Sequence, residues 1–325
     1  MHPTGARRVD AERMETARRV QTAGRQWAPG RPIDLSAQLG PLRRGSGDPT
    51  WGSTADGGIW RTTLTPVGPG LERLIVNRSA GVVEARAWGP GANWLMDRVP
   101  RLLGQLDNPG DFQPPGVLRQ TGRRHQGWRV GRTERVLEAL LPAILEQRVT
   151  GGEAWRAWRL LINDLGEPAP HAPGAPAGLR VFPAPEAWQA VPSWKWHKLA
   201  VDGKRSAAIL RAAQLADQLE DCLELSAADA RVRLHAIHGI GIWTVAETAQ
   251  RALGDPDAIS YQDYHLAREV VFVMSGERNG DDAQMAKLLL PWAGHRYRIQ
   301  RLIELSGKQR PRHGPRITIH NLSNF

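Results

Sequence analysis

Residues 231–268 read RVRLHAIHGIGIWTVAETAQRALGDPDAISYQDYHLAR, and the turn His238-Gly239-Ile240-Gly241 inside them constrains the fold more than any other stretch. Apolar spacing predicts one helix that closes over Leu234 to Ile237 and a second that runs from Trp243 to Leu253. Four residues, two of them glycine, are too few for anything but a tight hairpin between them. A glycine has no Cβ, so it adopts positive φ without strain and lets backbone N–H groups approach a ligand closely. Such a turn can therefore offer amides to a phosphate, or it can merely pack two helices together. A lone carboxylate, Asp263, follows at fixed distance in Ser260-Tyr261-Gln262-Asp263-Tyr264-His265-Leu266.

Charge narrows the partner. Across 325 residues the formal net charge is +10, with a sequence pI near 10.6, which points to a polyanion and to nucleic acid before an anionic membrane. No run of 18 apolar residues occurs and the N-terminus is polar and basic, so neither a membrane span nor a signal peptide is expected. The expected setting is cytoplasmic, in association with the nucleoid. Cys222 is the single cysteine; it excludes a disulfide within the chain and cannot supply the four thiolates of an iron–sulfur cluster. Its place in the apolar-spaced run Ile209 to Leu225 predicts a buried small hydrophobe.

Composition changes twice along the chain. Residues 1–30 carry Arg7, Arg8, Arg13, Arg18, Arg19 and Arg25 with few large apolar groups, and read as a mobile basic arm. Residues 31–126 are rich in Gly and Pro, with alternating runs at Ile59 to Thr65 and Val82 to Trp88 that predict antiparallel strands, two of them separated by turn text from Pro66 to Gly70. From 127 to 310 the periodicity is helical: Leu137 to Arg148, then Thr150-Gly151-Gly152-Glu153 as a capping box opening a helix to Leu165, then Lys204 to Leu225. Ser226 is placed to cap the first hairpin helix, and Gly254 with Pro256 to end the second. A Pro-, Ala- and Gly-rich loop runs from Glu167 to Gly178, long enough to be either functional or loose, and 311–325 reads as a surface tail.

With its hairpin, its following loop and the spacing from Trp243 to Asp263, the sequence resembles the helix-hairpin-helix DNA glycosylases, in particular the DNA-3-methyladenine glycosylase II branch. The resemblance implies an α+β fold, an antiparallel β domain followed by an all-helical body. It implies monofunctional hydrolysis of the N-glycosidic bond of an alkylated base flipped out of double-stranded DNA, without a cofactor, as a step of base excision repair by a monomer. Asp263 takes the place of the family's essential Asp; the residue before it is often Gly or Pro there, and here it is Gln262. Hairpins of the family often hold a monovalent cation on backbone carbonyls.

The chemistry agrees with a single carboxylate. Breaking an N-glycosidic bond leaves oxocarbenium character on the sugar, which a fixed negative charge stabilises. A base alkylated on a ring nitrogen is cationic and leaves without a proton from a general acid, so the absence of a second carboxylate from the motif suits such a substrate. Trp243 occupies the position two after the second hairpin glycine, where lyase-competent relatives carry a Lys; an indole forms no Schiff base.

Trp194 and Trp196, in Pro192-Ser193-Trp194-Lys195-Trp196-His197, either stack a flipped cationic base or pack in the core. Trp243 either lines the pocket with Tyr264 or packs the hairpin helix. The resemblance assigns DNA contacts to His238, Gly239, Ile240, Gly241 and Thr244, and places a wedge at Gln147 or Arg148 that fills the gap left by the flipped nucleotide. The basic start His295-Arg296-Tyr297-Arg298, with Arg301, either touches phosphates or solvates a face. His238 and His265 have no spaced partners of the kind a metal site needs. Three other readings fit: a glycosylase of the same fold with another lesion specificity, a non-catalytic DNA-binding repair factor and a sequence-reading regulator.

Overall fold

Strand alternation in the first third and helical periodicity thereafter produce two layers of different kind. The computed structural model describes residues 21–311. Five strands, β1 (Thr22–Trp27), β2 (Trp51–Ser53), β3 (Ile59–Thr65), β4 (Gly68–Asn77) and β5 (Val82–Trp88), form one antiparallel sheet in the order β1-β5-β4-β3-β2. The strands expected over 59–65 and 82–88 are present with those bounds. Two boundaries need correction. β1 lies inside the stretch read as a mobile arm, because Thr22 to Trp27 pairs with Val83 to Trp88 along the sheet edge; the rest of that stretch, 1–20, lies outside the described residues. The turn after β3 is only Pro66-Val67, since Gly68 to Gly70 already pairs with Thr63 to Thr65.

A short helix, α1 (Leu35–Leu39), follows β1, and α2 (Ala92–Leu102) packs Leu95, Val99 and Leu102 on Leu74, Val83 and Ala85 of the sheet. The approach is close at Gly70, where a Cβ would lie 2.5 Å from Leu95 Cδ1. The Pro-, Ala- and Gly-rich loop after residue 166 covers the opposite face. Trp60 and Trp88 stack there at 5.4 Å, with Ala172 and Leu179 against them, and Thr62 Oγ1 donates to Arg180 O at 2.6 Å. The loop is a lid on apolar surface and is tied down at its end.

The helical body comprises α3 (Arg119–Arg124), α4 (Val136–Leu145), α5 (Gly151–Leu165), α6 (Pro185–Gln189), α7 (Ser193–Lys198), α8 (Gly203–Gln214), α9 (Ala216–Glu220), α10 (Ala227–His235), α11 (Ile242–Thr248), α12 (Leu266–Ser275), α13 (Asp282–Leu289) and α14 (Arg296–Ser306). Thr150 and Glu153 form the reciprocal capping box, Ser226 Oγ accepts from Asp229 N, and Gly254 ends the second hairpin helix at φ +70. The single helix expected over Lys204 to Leu225 is broken at Leu215 into α8, α9 and a 3₁₀ turn that buries Cys222. No described helix is long and apolar enough to cross a membrane.

Among the described residues the body has two large apolar cores. Leu140, Ile144, Leu161, Ile209, Leu234 and Val245 join α4, α5, α8 and the hairpin. Val270, Val271, Met285, Leu289 and Ile299 join α12, α13 and α14. Each fully buried Leu, Ile or Val contributes roughly 1.5–3 kcal/mol, so either core can hold its helices rigidly. The β domain is keyed to the first core by Trp158 Nε1, which donates to Asp48 Oδ1 at 3.0 Å, and by Arg251 Nε, which donates to Pro41 O at 3.0 Å. A cleft is left where the hairpin, the second core and the β domain meet.

Candidate functional site

The cleft has a volume of about 340 Å³, within the usual range of small-ligand pockets, and Trp243, Glu247 and Arg251 line one side of it. Their spacing of four residues places all three on one helical face. Beyond Thr248 the helix widens into a π-helical turn over Ala249 to Leu253, a distortion common at functional positions. There Gln250 Nε2 donates to Ala258 O and Ser260 Oγ at 2.7 and 2.9 Å, Ser260 Oγ donates to Glu247 Oε1 at 2.6 Å, and Arg251 pairs with Glu247 Oε2 at 2.7 Å. This chain of bonds pins the following loop against the hairpin helix.

Asp263 stands on that loop at the cleft, half-buried. Its two oxygens have different tasks. Oδ1 accepts the backbone N–H groups of His265 and Leu266, both at 2.8 Å, and so caps α12; Oδ2 accepts the indole N–H of Trp243 at 3.1 Å. Trp243 therefore lines the cleft and orients the carboxylate as well. The residue before Asp263 shows why small residues suit that position: Gln262 sits at φ +66, a left-handed conformation costing roughly 1 kcal/mol, with its N–H held by Asp282 Oδ2 at 2.7 Å.

The far wall comes from α14, with Tyr297, Gln300, Ile303 and Glu304, while Glu269 of α12 and Pro41 of the β domain complete it. Burial pushes the Tyr297 hydroxyl up to about 12, so it stays protonated. Glu247, Glu269 and Glu304 correct the expectation of one isolated acid: among the described residues the lining holds four carboxylates, Glu247 and Glu304 paired with Arg251 and Arg301, and one further cation, Lys308. Glu247 lies within the hairpin motif, whereas Glu269 and Glu304 come from α12 and α14. Only Glu247 had a legible signal, its place one turn after Trp243.

The expected aromatic pocket is not what the fold builds. Trp196 is 3% exposed, stacks on Trp188 at 6.5 Å and belongs to the first core, so the assignment to a substrate pocket is corrected. Trp194, 65% exposed on the other face of α7, does not line the cleft. Tyr264, 68% exposed, also lies outside the lining, its ring against His265 at 4.8 Å and under the Arg268 guanidinium. His265 does line the cleft, and among the described residues no cluster of three metal-binding side chains forms. The basic start of α14 is spent internally: Arg296 pairs with Asp257, Arg298 with Asp107 and Arg301 with Glu304.

The hairpin turn presents His238, Gly239 and Gly241 at the surface, while Ile240 is buried beneath them. Gly239 uses positive φ, at +93, whereas Gly241 takes an extended conformation at the start of α11. Thr244 is 1% exposed and cannot reach a ligand directly. Its Oγ1 accepts instead from Gln147, whose Nε2 donates to it at 2.8 Å and to Gly239 O at 3.1 Å. The amide of Gln147 is thus committed to the hairpin, whereas Arg148, at φ +55, is exposed beside it.

The turn's carbonyls are also engaged: Arg211 Nη1 donates to His238 O at 2.6 Å, and His235 Nδ1 lies 3.1 Å from Ile240 O. A guanidinium already stands where a monovalent ion would draw on those oxygens. The turn does not fit the cation cradle that the resemblance implies.

Solved structures share this architecture. A 3-methyladenine DNA glycosylase from Archaeoglobus fulgidus matches with a TM-score of 0.69 at 17% identity, over 86% of this chain and 97% of that one. MBOgg1, solved in complex with a low-affinity DNA ligand, matches at 0.66 and 16%, over 89% and 97%. The 8-oxoguanine glycosylase/lyase of Clostridium acetobutylicum in its apo form matches at 0.66 and 9%, over 88% and 98%. The chain therefore has the fold of the helix-hairpin-helix DNA glycosylases, over nearly the whole length of each. No family model and no curated protein sequence matches it.

Proposed function

We propose that the protein is a monofunctional DNA glycosylase that hydrolyses the N-glycosidic bond of an alkylated base in double-stranded DNA and leaves an abasic site, as the first step of base excision repair on chromosomal DNA in the cytoplasm. The observation that carries this reading is the cleft in which Asp263 is oriented by Trp243 of the hairpin helix. The structures sharing the fold are DNA glycosylases by name, of both the 3-methyladenine and the 8-oxoguanine type.

The proposed reaction follows from the site. Hairpin amides and the exposed Arg148 take the duplex, with Arg148 filling the stack when the damaged nucleotide rotates out. Gln147, held by Gly239 and Thr244, fixes the wedge turn relative to the hairpin. As the base departs, charge develops at the anomeric carbon; a carboxylate about 4 Å away at an effective dielectric near 20 stabilises it by roughly 4 kcal/mol. Water then adds to the sugar, with Asp263 placed to take its proton. No side-chain amine stands at position 243 to form a Schiff base, so the reaction ends at the abasic site.

An acidic cleft in a strongly basic protein supports a cationic leaving base, which is the argument for an alkylated purine. A second reading has its own support. Gln300, Glu247 and Arg251 offer hydrogen bonds where the sequence led to an expectation of stacking rings, and such a lining also suits a neutral oxidised or deaminated base. Duplexes carrying 3-methyladenine, 7-methylguanine, 8-oxoguanine, hypoxanthine or uracil, incubated with the protein and then cleaved at abasic sites by alkali, decide between them. Release of the methylated bases is expected. Product only from a neutral base shifts the specificity, and product from none rejects the enzyme.

A further inference from the structure

Away from the cleft, two concavities of about 780 Å³ each flank the segment His125 to Trp128, which lines both. One of them is lined by Arg298 and Leu302 of α14, whereas the cleft is lined by Tyr297, Gln300 and Glu304 of the same helix. Their charge is opposite to the cleft's. Seven arginines line the pair, and the single carboxylate among the described lining residues is Asp34, already capping α1 through Ser36 N and Ala37 N.

Of these arginines, Arg298 is paired with Asp107, and Arg129 donates to Gln126 O and Trp128 O. Arg119, Arg123 and Arg124 are exposed with no ion pair or hydrogen bond from their side chains among the described residues, and Arg78 is exposed across the first concavity. Arg119 and Arg123 are four residues apart, so both face one side of α3. Two half-buried rings share the lining. Phe112 is held at 5.3 Å from His295, and Trp128 packs edge-on to Tyr297 at 6.2 Å.

We infer that this basic, ring-lined groove is a second nucleic-acid site that takes an unpaired strand, its phosphates on Arg119, Arg123, Arg124 and Arg78 and its bases in the two concavities. Unpaired strands are held by such a combination, a positive groove tracking the backbone and aromatic faces accepting bases without regard to sequence. A duplex would present phosphates alone and leave both concavities empty. The assignment uses no residue of the cleft or the hairpin and stands whether or not base excision is observed.

The test is fluorescence anisotropy with oligothymidylate and oligouridylate of about 20 nucleotides, longer than the roughly 4–16 that one groove covers. Arg119→Glu with Arg123→Glu, both exposed and free of partners among the described residues, should weaken binding of the strand at least tenfold and flatten its salt dependence by about 1.4 logarithmic units, about 0.7 for each phosphate no longer neutralised. The same double variant should leave the melting temperature and duplex base excision within twofold of the parent, and Asp263→Asn should leave strand binding unchanged. Loss with both probes assigns the site to the chemistry shared by DNA and RNA; loss with one assigns it to that strand. Single-strand binding that survives the double variant within twofold overturns the inference, as does an equal fall in duplex affinity, which would make the groove part of the duplex footprint.

Discussion

Asp263 does two jobs through two oxygens, and substitutions can separate them. In Asp263→Asn the amide oxygen retains the bonds from His265 and Leu266 N–H, now 2.8 Å each, but the fixed charge is gone and the Trp243 indole loses its acceptor. In Asp263→Ala all three bonds are lost. A buried unsatisfied donor costs about 1 kcal/mol and a lost helix cap about another 1. At roughly 2 °C per kcal/mol for a chain of this size, the melting temperature should fall by about 2 °C in the first variant and about 4 °C in the second. The rate should respond to charge alone: about 4 kcal/mol of electrostatic stabilisation is roughly a thousandfold, in both variants. Single-turnover alkali-cleavage assays on the preferred lesion, run with thermal melts, read both quantities. Asparagine retaining more than a tenth of the parent rate, or rates that track melting temperature across the pair, would refute the electrostatic role.

Gln147→Ala removes both bonds between the wedge turn and the hairpin, about 2 kcal/mol at about 1 kcal/mol each, and should lower the melting temperature by up to about 4 °C and the affinity for a duplex with an abasic-site analogue, measured by anisotropy, by up to about thirtyfold. The two tryptophans of α7 should behave oppositely in denaturant: Trp196→Ala loses roughly 3–5 kcal/mol of stability from the core, while Trp194→Ala stays within about 0.5 kcal/mol, and neither changes the excision rate of folded protein. Tyr297 gives a pH signature. Its hydroxyl titrates near 12 when folded and about 10 when unfolded, so its contribution is complete below pH 10 and is lost as pH rises from 10 to 12, at up to about 1.4 kcal/mol per unit. Tyr297→Phe should flatten that part of the stability curve relative to the parent, and an unchanged slope would show the hydroxyl to be solvated.

The hairpin, the carboxylate after it, the capping box at Thr150 and the strands at 59–65 and 82–88 were all legible from residues alone, because each is a local pattern whose period or cap chemistry admits one backbone. The pairing of Trp243 with Asp263 was half legible: the spacing brought the two into one motif, but only the folded loop shows the indole turned onto Oδ2. The tryptophans at 194 and 196 were beyond reach. Two positions apart on a helix of six residues, they point to different sides, and periodicity over so short a span carries no phase to say which side meets the core.

Tertiary structure alone decided the rest. Residues 22–27 carry no strong alternation and become a strand because β5 offers an unpaired edge. The acidity of the cleft arises where α11, α12 and α14 converge, bringing together carboxylates that lie up to 57 positions apart, from Glu247 to Glu304. Local sequence determines which backbone forms and which residue caps it. Which side chains share a cavity depends on how rigid helices pack, and that is set by contacts distant in the chain.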